Sequence, residues 1–248
     1  MSYPSVVLAD SPLHFWRLSD GSGQICHDIG SSKHLLASSF YALGYTGPCS
    51  DGGAALTDSQ FGLVSGESLA LVAPVSVECW VWWEGTFAGT QVIFAWDNTT
   101  APSLVLTNTA GVVQASVSGC GATVAFSMTS EAWHHLVVTY SGAFLAIYED
   151  GVQKSLVACG TAMATSHLIG FGVQPVGGGF KANSLFSELA VYPTALTSAQ
   201  VSAHFAAADQ VASVPVHLST GKIDLTTGGF TSIIGDTTDI LKSVRKVY

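Results

Sequence analysis

"SEAWHHLVVTYSGAFLAIYEDG", residues Ser130 to Gly151, decides how the chain folds. Two adjacent histidines follow a tryptophan and a carboxylate pair precedes a glycine, so the stretch is either a reactive site or a piece of sheet. Side chains of an extended strand alternate between its two faces. Over Trp133–Tyr140 this puts Trp133, His135, Val137 and Thr139 on one face and His134, Leu136, Val138 and Tyr140 on the other. Histidines on opposite faces do not chelate one ion. The one facing the apolar set is expected to be an imidazole hydrogen-bonded in or beside the core. Asp150-Gly151 fits the centre of a type I′ turn, where both residues take positive φ. Asp150 is therefore expected to serve the turn that joins Phe144–Glu149 to Val152–Val157.

The same short alternation recurs outward in both directions. It predicts strands at Leu13–Leu18, Ser68–Ala73, Val75–Glu84, Gln91–Trp96, Ser103–Thr107 and Val112–Val117. Further strands are expected at Ala122–Ser127, Trp133–Tyr140, Phe144–Glu149, Val152–Val157, His167–Phe171 and Leu185–Tyr192. Short strands with turn residues between them, and no long helix, predict an all-β antiparallel sandwich. One helix is expected after the last strand: Thr197-Ser198-Ala199-Gln200 forms a capping box, and Val201, Phe205 and Ala208 follow at helical spacing. Residues 1–210 form the domain. Residues 211–248 form a Thr/Gly-rich arm, whose Asp239–Val247 end is amphipathic and is expected to need a partner.

Apolar residues make up 48% of the 248 and charged residues 10%, a composition that excludes ordinary disorder. No apolar run is long enough to span a bilayer as a helix. The net charge of −9 sits on the body, where Arg17, Lys33, Lys154 and Lys181 face fourteen acidic groups. An acidic body without a basic patch argues against nucleic-acid binding. No charged side chain occurs from Asn98 to Ser130 or from Ser155 to Phe180, a pattern that suggests a surface covered by copies or partners. The start of the chain shows no secretory pattern, so synthesis in a cytoplasm is expected. The 5 cysteines are widely spaced without a C-x-x-C, and free buried thiols are expected.

Four ordered segments, "ADSPLHFWRLSDGSG", "VSVECWVWW", "EAWHHLVVTYSG…LAIYEDG" and "FSELAVYPTALTSAQVSAHF", resemble those of laminin G-like jelly-roll domains of the concanavalin A-like superfold. The resemblance spans about Tyr3 to Ala208 and implies two packed antiparallel sheets with a short helix after the last one's final strand. Among such domains the chain is most similar to those of bacteriophage virion proteins, in capsid decorations, tails or fibres. That likeness implies a virion location and, as partners, other virion proteins and copies of itself joined through the arm. The fold by itself does not imply a single function.

Catalysis is disfavoured on spacing. Laminarinase-type relatives carry E-x-D-x-x-E, and no glutamate here is followed two residues later by aspartate. Glu78 and Glu84 share a strand face, but six residues put them roughly 20 Å apart, against about 5–9.5 Å for a glycosidase pair. On that face Trp80 and Trp82 project roughly 7 Å apart, a candidate platform for host-surface carbohydrate with Glu78 and Glu84 at its ends. The competing expectation is that another sheet, the helix or a neighbour covers this face. Trp96, Asp97 and Asn98 form a second candidate where a strand meets an end loop. No cofactor is expected. Calcium is possible because some relatives bind it through loop acids, and Asp20 and Asp28 are the candidate ligands. Ser187-Glu188, standing where the resemblance has Asp-Glu, weakens that expectation.

Overall fold

The computed structural model describes residues 1–208 apart from 22, 38–42, 58–61, 84–88, 98–101, 118–119, 121–125, 162, 164–166 and 177–181, together with residue 215. The arm therefore lies outside the described residues. In chain order the elements begin with α1 (Tyr3–Ala9), β1 (His14–Trp16), β2 (Ile25–Cys26), β3 (Leu35–Ala37), β4 (Tyr45–Thr46), β5 (Gly53–Thr57) and β6 (Leu63–Ser65). The long central strands are β7 (Val75–Trp83), β8 (Thr90–Asp97), β9 (Pro102–Thr109) and β10 (Val112–Val117). They are followed by β11 (Phe126–Ser127), β12 (Ala132–Tyr140), β13 (Phe144–Glu149), β14 (Val152–Ala158), β15 (Leu168–Phe171), β16 (Ser184–Tyr192) and α2 (Ser198–Ala207).

Among the described residues the strands form two eight-stranded sheets, all of whose pairings are antiparallel. One runs β14-β13-β12-β7-β16-β5-β4 with β1 also paired to β16, and the other runs β11-β10-β9-β8-β15-β6-β3-β2. Alternation along β7 does what its sequence dictates. Val75, Val77, Cys79, Val81 and Trp83 point between the sheets, against a facing set that includes Ile93, Phe94, Trp96, Leu104 and Leu106. Each such side chain contributes about 1.5–3 kcal/mol by leaving water. The Asp150-Gly151 turn is as expected: φ is +51° and +76°, and Glu149 pairs with Val152.

A second apolar layer lies on the opposite face of the first sheet. Tyr3 and Val7 of α1 and Val201 and Ala208 around α2 pack there on Phe15, Trp80, Val137, Ala146, Tyr148 and Tyr192. Thr197 caps α2 through the expected reciprocal pair with Gln200. The sequence reading missed α1, although Ser2 at its N-cap and proline in its first turn are the usual start signals. It also missed the short strands β2 to β6, whose two to five residues are too few for alternation to show. Ser68–Ala73, expected to be a strand, contributes only an isolated bridge between Leu69 and His167.

The cysteine expectation is corrected in part. Cys26, Cys49 and Cys79 are buried and outside any disulfide, but Cys120 and Cys159 form one with Cα atoms 5.7 Å apart. Thirty-nine residues separate the two in sequence, so only the folded sandwich brings them together.

Candidate functional site

Glu78 is the centre of the most concentrated polar cluster. It projects from β7 into the layer beneath the helices and is fully buried. Four side chains donate to it. Tyr3 Oη and His135 Nε2 each lie 2.6 Å from Oε1, Tyr192 Oη lies 2.5 Å from Oε2, and His204 Nδ1 lies 2.9 Å from Oε2. The other nitrogen of His204, Nε2, is 2.9 Å from Asp10 Oδ2. Both ring nitrogens therefore face carboxylates, which only accept, and His204 is an imidazolium. Burial works against the charge on Glu78, but His204 and His135 beside it hold its carboxyl well below the ordinary range. Burial likewise opposes the charge on His204, whose pKa is nevertheless raised by Glu78 and Asp10. The cluster bolts α1, through Tyr3 and Asp10, and α2, through His204, to the sheet. Glu78, His135 and His204 are all fully buried in it.

His134, on the other face of β12, has a separate environment. Its Nε2 donates to the Thr129 carbonyl at 2.9 Å, while Nδ1 faces Glu149 Oε1 at 3.1 Å and Asp150 Oδ2 at 3.3 Å. Burial lowers the affinity of His134 for its proton, but Asp150, Glu149 and Thr129 outweigh it and push the pKa up to about 9. Asp150 Oδ1 also accepts from the His135 amide at 2.9 Å, which ties the turn to β12. The ligand atoms of His134, Glu149 and Asp150 lie within 4.8 Å of one another, a spacing able to hold a cation. The imidazolium supplies positive charge at the same place, and Lys154 Nζ adds more, 3.0 Å from Glu149 Oε2.

The expected tryptophan platform does not form. Trp80 is 1% exposed, flanked by Tyr3 and His135 and stacked on Phe205 with centroids 5.9 Å apart. Trp80 and Glu78 are thus removed from any ligand by the two helices, one of which the sequence reading missed. Trp82 stays half-exposed, and its cross-strand partner is Trp133, likewise half-exposed. Their rings meet edge to face, with centroids 5.9 Å apart and planes at 69°. Glu84 and Asn98 lie outside the described residues.

Trp96 and Asp97 are both fully buried. Trp96 packs on His167, and Asp97 Oδ2 accepts from Gln174 Nε2 at 2.6 Å. Asp97 Oδ1 has no hydrogen-bond partner among the described residues. Gln174 carries no sequence signal that links it to this strand end.

The calcium candidates are occupied by local donors. Asp28 is buried; Oδ1 accepts from the Phe15 and Gly30 amides, and Oδ2 from His14 Nδ1 at 2.7 Å and from Ser31. Asp20 bonds to both the amide and the ring of His27. Both act as turn residues. Glu188, also buried, takes the Arg17 guanidinium at 2.7 Å, and Arg17 reaches on to Asp51 at 2.7 Å. In place of a second carboxylate, Ser187 donates its hydroxyl to the Gly53 carbonyl at 2.5 Å.

A family model described as the concanavalin A-like lectin/glucanases superfamily, laminin G type, matches residues 54–202, more than half of the chain. No curated protein sequence matches. Among solved structures, domain 4 of AbnA, a GH43 extracellular arabinanase from Geobacillus stearothermophilus in complex with arabinotriose, is similar at 18% identity and TM-score 0.58. The match covers 78% of this chain and 97% of that one. The botulinum neurotoxin type G receptor-binding domain is similar at 9% identity and TM-score 0.59, over 79% of this chain and 51% of that one. Trypanosoma rangeli sialidase is similar at 13% identity and TM-score 0.58, over 80% of this chain and 33% of that one. The chain thus spans about a third of the sialidase and about half of the toxin domain, and at these identities the likeness is one of fold.

Proposed function

We propose, for a chain that belongs to the concanavalin A-like lectin/glucanases superfamily, a non-enzymatic carbohydrate-binding module whose contact surface is the Trp82–Trp133 corner. The observation that carries this reading is that corner itself. On a sheet face whose centre is covered by helices, two cross-strand tryptophans remain partly exposed with their rings at 69°. An indole face takes the apolar side of a sugar ring, and a second indole at an angle limits how the ring sits. The arabinotriose complex of the similar arabinanase domain makes oligosaccharides the first ligands to try.

The non-catalytic part of the reading is supported by the two glutamates of the inner strands. Glu78 is saturated by four donors and Glu188 is held by Arg17, both without solvent access. A glycan array followed by titration tests the proposal. Trp82→Ala and Trp133→Ala each weaken binding by about tenfold, or 1.4 kcal/mol, in variants that circular dichroism shows to be folded, while Asp97→Ala leaves binding intact. Loss of binding only in Asp97→Ala would move the site to the opposite strand end, and cleavage of the bound oligosaccharide would refute the non-catalytic part.

The setting proposed for this module is a bacteriophage virion, with a host-surface glycan as ligand. The uncharged stretches from Asn98 to Ser130 and from Ser155 to Phe180 support it. Mass spectrometry of purified particles tests it, since a chain missing from the particle has no virion role.

A further inference from the structure

Among the described residues the two sheet paths end in four strands, of which β2, β4 and β11 are two residues long, and three-residue β1 adds a further short edge beside β16. The fourth, β14, is seven residues long. An edge strand presents a row of unpaired N–H and C=O groups, and natural sheets blunt such edges by shortening them or adding charge or proline. The other edges are short among the described residues. β14 contains no proline, and its one charge, Lys154, is neutralised by Glu149 of its own hairpin.

The β13–β14 register shifts between Ile147 and Tyr148, and beyond this bulge Ser155 to Ala158 pair in regular register. The Cys159 amide donates to the Ala143 carbonyl. Amide directions alternate along a strand, so Val157 and Ser155 also donate inward while the Leu156 and Ala158 amides point off the sheet. Apolar side chains accompany them: Leu156 is 55% exposed, Val152 59% and, on the neighbouring strand, Phe144 50%.

We propose that β14 is a self-association edge, pairing antiparallel with β14 of a second copy about a two-fold axis that sets Leu156 opposite Leu156. Charge selects this occupant. A charged peptide finds no complement on an edge whose single cation is already committed, whereas a strand with no uncompensated charge does, and β14, whose Lys154 is neutralised by Glu149, is one. In the Leu156-centred register Lys154 lies opposite Ala158, so the two lysines stay apart and each keeps its own glutamate. A register centred on Lys154 would oppose like charges. The pairing would merge two eight-stranded sheets into one, and it does not depend on the carbohydrate reading.

Sedimentation of the full chain tests the proposal. The wild type shows a concentration-dependent doubling of mass. Leu156→Lys raises the dimer dissociation constant at least about 100-fold with an unchanged melting temperature. Opposed residues of a hydrogen-bonded antiparallel pair have Cα atoms about 5.5 Å apart, within disulfide reach. Leu156→Cys therefore cross-links two copies under mild oxidation, and Gln153→Cys does not, because this register holds the two copies of residue 153 far apart. A chain monomeric at all concentrations overturns the proposal, as does a dimer that survives Leu156→Lys. A monomer whose Leu156 amide is protected from hydrogen exchange also overturns it, by showing that another segment covers the edge.

Discussion

Glu78 shows how one residue changes meaning with its surroundings. On a bare strand face it is a ligand for sugar hydroxyls; under two helices it is the acceptor for two tyrosines and two histidines. Removing one partner of a buried, hydrogen-bonded charge pair is strongly destabilising. Glu78→Gln is therefore expected to cost about 3–5 kcal/mol in chemical denaturation, with no specific effect on sugar affinity once the variant is folded. The histidines set the pH dependence. His134 titrates near 9 in the folded chain, against about 6.5 unfolded. Its folded pKa is raised, so its contribution is whole below about pH 6.5 and is lost as pH rises through 9. His204 is raised as well and acts with the same sign. Glu78 is depressed, so its contribution is present above about pH 4.3 and is lost only as pH falls through its folded value. The melting temperature is expected to fall between pH 6.5 and 9, and His134→Gln should remove part of that slope. A slope unchanged in His134→Gln would mean that the contacts of His134 with Glu149 and Asp150 do not stabilise the fold.

At the scale of elements, α2 and the β13–β14 turn depend on each other. Gly151 has φ +76°, and a Cβ added there would meet Phe205 of α2 at 3.1 Å. Gly151→Ala therefore combines a left-handed backbone, costing about 1–2 kcal/mol, with contact against a helix that also covers Trp80. The expected thermal destabilisation exceeds that of alanine at an open left-handed position. Gly111, also at positive φ but with open space around it, is the control. Thr197→Ala removes half of the capping box and is expected to cost about 1 kcal/mol, seen as faster amide exchange in the first turn of α2. The capping box and the type I′ turn were legible in the sequence because each is a local code, set by residues within three or four positions. α1 was nearly as local but only seven residues long, too short for apolar periodicity to announce it.

For the whole molecule, the Cys120–Cys159 disulfide joins the stretch after β10 to the end of β14 across 39 residues. Reduction, or Cys159→Ser, is expected to lower stability by about 2–4 kcal/mol through the freed chain entropy, measured by denaturation with and without reductant. No difference would show that the bond does not constrain the chain. Alternation of Val75, Val77, Cys79, Val81 and Trp83, repeated in shorter strands along the chain, was enough to determine an antiparallel sandwich and its inner face, because a two-residue period leaves a buried strand little choice of register. What lies on the other face was not determined. Glu78, Trp80 and His135 have the same alternation whether water or a helix sits above them, and the answer depends on Tyr3 and His204, which come from the two ends of the domain. Asp28 follows the same rule, since the donors of His14, Phe15 and Ser31 converge on it only after the chain folds. Local pattern determined which residues share a strand face; long-range packing alone decided which faces stay open to a ligand, because burial depends on residues far apart in sequence.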